Sequence, residues 1–119
     1  NRVRKSIAAE RTFSKNISSE VFMLERLFTI AEELERRMMK SETKGKTITL
    51  KIKYSDFTQQ TRSKTTQNFM QKKDEIMHIV KELVYQEKFK NSVRLLGISF
   101  SNLDTEKKDP VWVQLKLEF

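Results

Sequence analysis

Arg2, Arg4 and Lys5 lead into Ser6 and Thr12 in the run Arg2-Val3-Arg4-Lys5-Ser6-Ile7-Ala8-Ala9-Glu10-Arg11-Thr12, and that mixture has a definite chemical use. Phosphate is held by cations working beside short donors, Ser, Thr and backbone N–H, which let the ligand come close. Gln60-Thr61-Arg62-Ser63-Lys64 repeats the mixture. At the other end, Gln114-Leu115-Lys116-Leu117-Glu118-Phe119 alternates apolar and polar residues. Such a segment can lay Leu117 and Phe119 into an apolar cleft while the Gln114 amide bonds at its rim, or it can serve as an amphipathic extra strand. Catalysis finds few ingredients. There is one histidine, His78, off the apolar stripe of its segment, no cysteine, and no glycine-rich phosphate loop. Glu32, Glu33 and Glu35 sit beside arginines and read as solvated ion pairs. The chain is not expected to be an enzyme, and no metal site is expected in it.

The chain has 119 residues, with 24 Lys+Arg against 16 Asp+Glu and a net charge of +8. One domain is expected, with a polyanionic partner. No apolar run approaches the roughly 18 residues that span a bilayer, so no membrane is expected. The absence of cysteine excludes a disulfide framework and fits a reducing setting, cytoplasmic or nuclear. Asn1 in place of Met suggests a piece of a longer protein.

Positioning elements follow from periodicity. Residues 2–13 read as a strand. Ser18 or Ser19 caps a helix reaching Lys40, with Leu24, Leu27, Phe28, Ala31, Leu34 and Met38 as its stripe. Residues 46–54 alternate strictly, Ile48, Leu50, Ile52 and Tyr54 against Thr47, Thr49, Lys51 and Lys53, as in a strand covered on one side. A polar strand from Phe57 to about Thr65, a helix opening near Asp74 with the stripe Ile76, Ile79, Val80 and Leu83, and a strand over 92–102 complete the order. The class is α+β, β-α-β-β-α-β, with both helices on one face of a four-stranded, mostly antiparallel sheet and the other face open and basic. A split βαβ arrangement puts the first and third strands at the centre. With Ile7 inward, the outward sets are Arg4, Ser6, Ala8, Glu10 and Thr12 on strand one, and Thr58, Gln60, Arg62 and Lys64 on strand three. Residues 1–15 carry +4 and 44–64 carry +5, which assigns the positive charge to the sheet. No aromatic ring interrupts either outward set, which disfavours base stacking of the kind single-strand and RNA binders use.

The opening run resembles the R-x-R-K-S-[IV]-G-x-E-x-T stretch that begins the little finger of Y-family translesion DNA polymerases of the DinB, or DNA polymerase IV, branch. Lys51-Ile52-Lys53-Tyr54-Ser55-Asp56-Phe57, Gln59-Gln60-Thr61 and Ser92-Val93-Arg94-Leu95-Leu96-Gly97-Ile98 resemble later stretches in the same order. Ala8 stands where the family commonly has glycine, and Leu95 where some relatives carry a basic residue. The resemblance implies a division into a linker (1–5), a DNA-binding little finger (6–103) and a tail (104–119). It implies contact with the phosphates of a duplex primer–template through Ser6, Ala8, Thr12, Gln60, Arg62, Ser63 and Arg94, with Lys5 and Lys64 as charge support. The tail resembles the bacterial sliding-clamp peptide, which implies clamp binding by Gln114, Leu115, Leu117 and Phe119. It also implies an upstream palm, fingers and thumb holding Mg²⁺, in a bacterial cytoplasm. The alternative class is a stand-alone RNA- or ribosome-associated α+β domain.

Overall fold

Apolar residues decide which strands lie inside. The computed structural model describes residues 5–104, so Gln114, Leu115, Leu117 and Phe119 of the tail lie outside the described residues. The elements are β1 (Ser6–Ile17), α1 (Glu20–Lys40), β2 (Gly45–Tyr54), β3 (Gln59–Met70), α2 (Lys73–Tyr85) and β4 (Val93–Leu103). They form one four-stranded sheet in the order β1-β4-β2-β3, every neighbouring pair antiparallel. The expected split βαβ connections are present, because β1 and β2 run parallel with β4 between them, and β3 and β4 with β2 between them. The centre is different from the expectation: β4 and β2 are central, and β1 and β3 are edges. The reason is composition. β2 and β4 carry Ile48, Leu50, Ile52, Leu96, Ile98 and Phe100, all 1% exposed or less. β1 and β3 are mostly polar, which suits strands with one edge in water.

The helices form as their residues dictate. Ser19 caps α1, its Oγ accepting the N–H of Phe22 at 3.2 Å, one of the orphan donors of the first turn. Met23, Leu27, Ile30, Ala31, Leu34 and Met38 are its buried stripe; Phe28, expected in that stripe, is exposed, and Leu24 only packs against its margin. At the start of α2 the Glu75 carboxylate accepts the N–H groups of Gln71 and Lys72 at 3.0 and 3.1 Å. Ile76, Met77, Ile79, Val80, Leu83 and Val84 are the buried residues of α2. The i,i+4 pairs expected on this helix are Glu32–Arg36 and Glu33–Arg37; Glu33–Arg37 forms, whereas Glu32 turns to Lys73 of α2 and ties the two helices together. His78 is exposed, 3.5 Å from Glu82.

Arg62 is the main correction. It was expected on the open face, yet it is 6% exposed on the helix side. Its Nη1 donates to the carbonyls of Leu83 and Val84 at 2.8 and 3.1 Å, and its guanidinium lies 4.9 Å from the Phe89 ring centre. Those carbonyls are at the C-terminal end of α2, where the helix dipole favours a cation and the last acceptors lack helical partners. Arg62 therefore fastens α2 to the edge strand β3. Arg62→Ala is expected to lower the urea-unfolding free energy by about 2 kcal/mol, as the loss of charged hydrogen bonds to buried acceptors requires. Stability unchanged within a few tenths would show that the contact does not hold α2.

Candidate nucleic-acid interface

Strand register defines the open face residue by residue, because directly paired residues share a side. Four rows cross the sheet: Ser6–Ser101–Thr47–Thr65, Ala8–Ser99–Thr49–Ser63, Glu10–Gly97–Lys51–Thr61 and Thr12–Leu95–Lys53–Gln59. Hydroxyls and small residues dominate. Thr47 and Thr65 share a 2.7 Å hydrogen bond between their hydroxyls, and Asn102 Nδ2 donates to Thr47 Oγ1 at 2.7 Å. No aromatic side chain stands in any row, so a ligand can approach the backbone over most of the surface.

The expected site residues divide into three groups. Ser6, Ala8, Thr12 and Ser63 stand in the open rows, and Lys5 is exposed just ahead of β1. Gln60, Arg62 and Lys64 are not in these rows: all three point to the helix side. Gln60 accepts from the buried Tyr54 hydroxyl and donates to Glu87 at 2.8 Å, and Lys64 pairs with Glu82 of α2. That ion pair, acting through its hydrogen bond, holds the Glu82 carboxyl below the usual range. Arg94 belongs to neither side of the regular ladder. Lys53 pairs with Leu95 but Tyr54 with Val93, so Arg94 is the extra residue of a bulge. The parity of β3 fails from sequence because the strand has no apolar alternation to set it. The hairpin supplies the missing signal: three residues separate Tyr54 from Thr58, which pairs Lys53 with Gln59 and puts Gln59, Thr61, Ser63 and Thr65 beside the outward residues of β2. Thr47, Thr49, Thr61, Thr65, Ser99 and Ser101 are thus the interface candidates that the sequence reading passed over.

Charge on the face is arranged around one glycine. Lys51 Nζ lies 3.2 Å from Glu10 Oε1, although β4 runs between their strands. Two strand spacings, about 10 Å, separate the two backbones, and the side chains meet above Gly97, the residue paired with both. A Cβ on Gly97 would come within 3.0 Å of the Glu10 Cβ. The surroundings of Gly97 form a shallow depression of about 230 Å³ lined by Ser6, Ala8, Glu10, Lys51 and Ser99 among others. Glu10 is the only acid in the four rows, and Lys51 and Lys53 are the lysines. Three further cations of these strands are engaged on the helix side: Arg11 with Glu33, Arg62 with α2 and Lys64 with Glu82. The rows therefore present fewer cations than strand composition suggests.

Comparison with known proteins adds the family. The model of the impB/mucB/samB family C-terminal domain matches residues 4–117. The chain belongs to that family, whose fold is the little finger of DinB-type polymerases. A DNA polymerase IV of Clostridium perfringens is 45% identical over 104 residues, 87% of this chain and 29% of the relative. One from Akkermansia muciniphila is 35% identical over 119 residues, 99% of this chain and 33% of the relative. The chain thus spans about a third of these relatives and has a DNA-polymerase-associated role. Among solved structures, the little finger domain of a polymerase IV in complex with the beta-clamp processivity factor matches with a TM-score of 0.69 at 23% identity, covering 83% of this chain and 89% of that one. A post-insertion binary complex of Dbh DNA polymerase matches at 0.62 and 17% identity, covering 84% of this chain and 29% of that one. The sequence resemblance to the DinB little finger is borne out, as is the β-α-β-β-α-β order. Among the described residues no cluster of His, Cys, Asp or Glu can hold a metal ion, so those residues offer no site for the Mg²⁺ that the resemblance implies for a whole polymerase. Nor is any helix among the described residues long and apolar enough to cross a membrane.

Glu10 repels whatever anion the rows receive and occupies Lys51 while they are empty. Glu10→Gln is expected to strengthen binding of a polyanionic duplex two- to fivefold at low salt, and to steepen the log–log salt slope by about 0.9, as one more neutralised phosphate would. Fluorescence anisotropy over a salt series reads both; an unchanged slope would mean that Lys51 is already free.

Proposed function

We propose that this little finger holds duplex DNA without regard to sequence, its open sheet face lying along the sugar–phosphate backbones of a primer–template during translesion synthesis by a polymerase of the DNA polymerase IV type. The observation that carries the reading is the open face itself: rows of hydroxyl and small side chains, with Lys51 and Lys53 among them, on the side away from both helices. Three strand spacings give the face a width of about 14 Å. That exceeds the roughly 12 Å width of the major groove, so the sheet bridges from one backbone to the other instead of entering to read bases. Short hydroxyls suit phosphate oxygens, and Gln59 is the one carboxamide in the rows. In this reading residues 1–5 are the link to a thumb, 6–103 the DNA-holding body and 104–119 the tail. Nucleotide transfer, with its Mg²⁺, belongs to palm, fingers and thumb upstream.

Contacts confined to phosphates make binding weak and salt-dependent. About five neutralised phosphates give a log–log slope near −4 to −5, and duplexes of unrelated sequence should bind alike. Lys51→Glu with Lys53→Glu is expected to weaken duplex binding at least tenfold more than Arg36→Glu with Lys40→Glu, two exposed cations of α1. Equal losses would reduce the effect to net charge, and tighter binding of structured RNA than of duplex DNA would favour an RNA-associated domain.

The tail completes the proposal. A solved relative forms a complex with the beta-clamp processivity factor, and Gln114, Leu115, Leu117 and Phe119 have the spacing of a clamp peptide. Tethering raises the local DNA concentration without adding DNA contacts. Deleting 114–119 should abolish clamp pull-down and leave duplex affinity unchanged; pull-down that survives the deletion rules the peptide out.

A further inference from the structure

Phe57 is a bulky residue in a glycine's place. The β2–β3 hairpin closes with Phe57 N–H donating to Tyr54 O and Tyr54 N–H to Thr58 O, both at 2.9 Å. Three residues, Ser55, Asp56 and Phe57, make the loop, and the last has φ 72°. Three-residue hairpins end on a left-handed residue that is normally glycine, and a large side chain there is a true outlier. Burial does not explain the choice, since Phe57 is 62% exposed. The turn around it is built firmly. Asp56 accepts from the Thr58 N–H at 3.0 Å and from its hydroxyl at 2.6 Å, which holds its carboxyl below the usual range. Ser55 N–H donates to Ser92 O at 2.9 Å and so fixes the hairpin to the strand start that carries Arg94.

Arg94 is the partner. Its guanidinium carbon lies 4.7 Å from the centre of the Phe57 ring, in the range of a cation–π contact. Arg11, Arg37 and Arg62 are each committed to a carboxylate or a carbonyl. Arg94 makes its ring contact with Phe57 and has no hydrogen bond or ion pair among the described residues. The bulge puts this half-buried arginine next to Leu95 of the row Thr12–Leu95–Lys53–Gln59, at the end of the sheet where the β2–β3 hairpin turns. A ring beneath a guanidinium fixes its plane while leaving its N–H fork unspent, and a planar fork fits a phosphate bidentately.

From this we infer that Phe57 is a positioning residue, holding Arg94 as a preset phosphate clamp at the hairpin end of the open face. The inference rests on the DNA-holding reading of that face and adds where one phosphate is gripped and by what. Exchange of Phe57 separates this role from a structural one, because glycine accepts φ 72° without strain. In the 119-residue chain, Phe57→Gly is expected to keep or raise the thermal midpoint yet to lower duplex affinity about tenfold or more, as Arg94→Ala does, the loss expected of one charge-assisted contact. Each should make the salt slope shallower by about 0.9. The double variant should be no weaker than Arg94→Ala alone, and Phe57→Tyr should restore affinity and slope. Phe57→Gly binding like the wild type, or losses that multiply in the double variant, would overturn the inference while leaving the sheet-face reading intact. A wild-type chain that binds no duplex contradicts that reading and the inference with it.

Discussion

One-sided burial is the constraint on which the rest depends. Every large buried side chain of β2 and the inward half of β4 meets the stripes of α1 and α2, so one sheet face carries the hydrophobic core. Burying that apolar surface supplies the main drive for folding, and nothing comparable is asked of the other face. The other face is therefore free to consist of Ser, Thr, Ala and Gly without cost to the core. Chemistry and stability are placed on opposite sides of the same strands, one residue out of phase.

The same division explains the fate of the cations. Residues of β1 and β3 that alternate toward the helices cannot all be apolar at an edge, and here they include Arg11, Gln60, Arg62 and Lys64. Each meets an acceptor from the helix layer or the segment after it: Glu33, Glu87, the α2 carbonyls and Glu82. These contacts fasten the helices across the sheet edges, where the core thins out. A strongly basic chain thereby presents a gently charged open face, on which Glu10 and Lys51 pair above Gly97. Under the proposed DNA-holding role such a face would keep the hold weak, because each added free cation would tighten it.

Much of the architecture was legible where hydrophobic periodicity is strong. β2 reads correctly because its alternation is strict, and both helices read correctly because their stripes are continuous. Strand order was not legible in the same way. Connection order alone allows either central pair, and the choice of β4 and β2 follows from how apolar each strand is, a comparison between strands that no single pattern contains. At the site, Ser6, Ala8 and Thr12 were read correctly as outward through Ile7, whereas Gln60, Arg62 and Lys64 were misread because a polar strand gives no parity. Hairpin loop length carried that information, and an unusual residue at its left-handed position, Phe57, hid it. Tertiary features such as the Glu10–Lys51 bridge above Gly97 depend on three strands meeting and have no local signature.

The central claim is that the bare sheet face, and not the helix layer, meets the duplex. Amide chemical-shift mapping of the chain titrated with a short DNA duplex tests it most directly. The account predicts that Thr49, Lys51, Gly97 and Ser99, on the two central strands, shift most, with Arg26, Arg36 and Lys81 on the helices nearly unmoved. Shifts concentrated along α1 and α2, with those four strand residues unaffected, would contradict it.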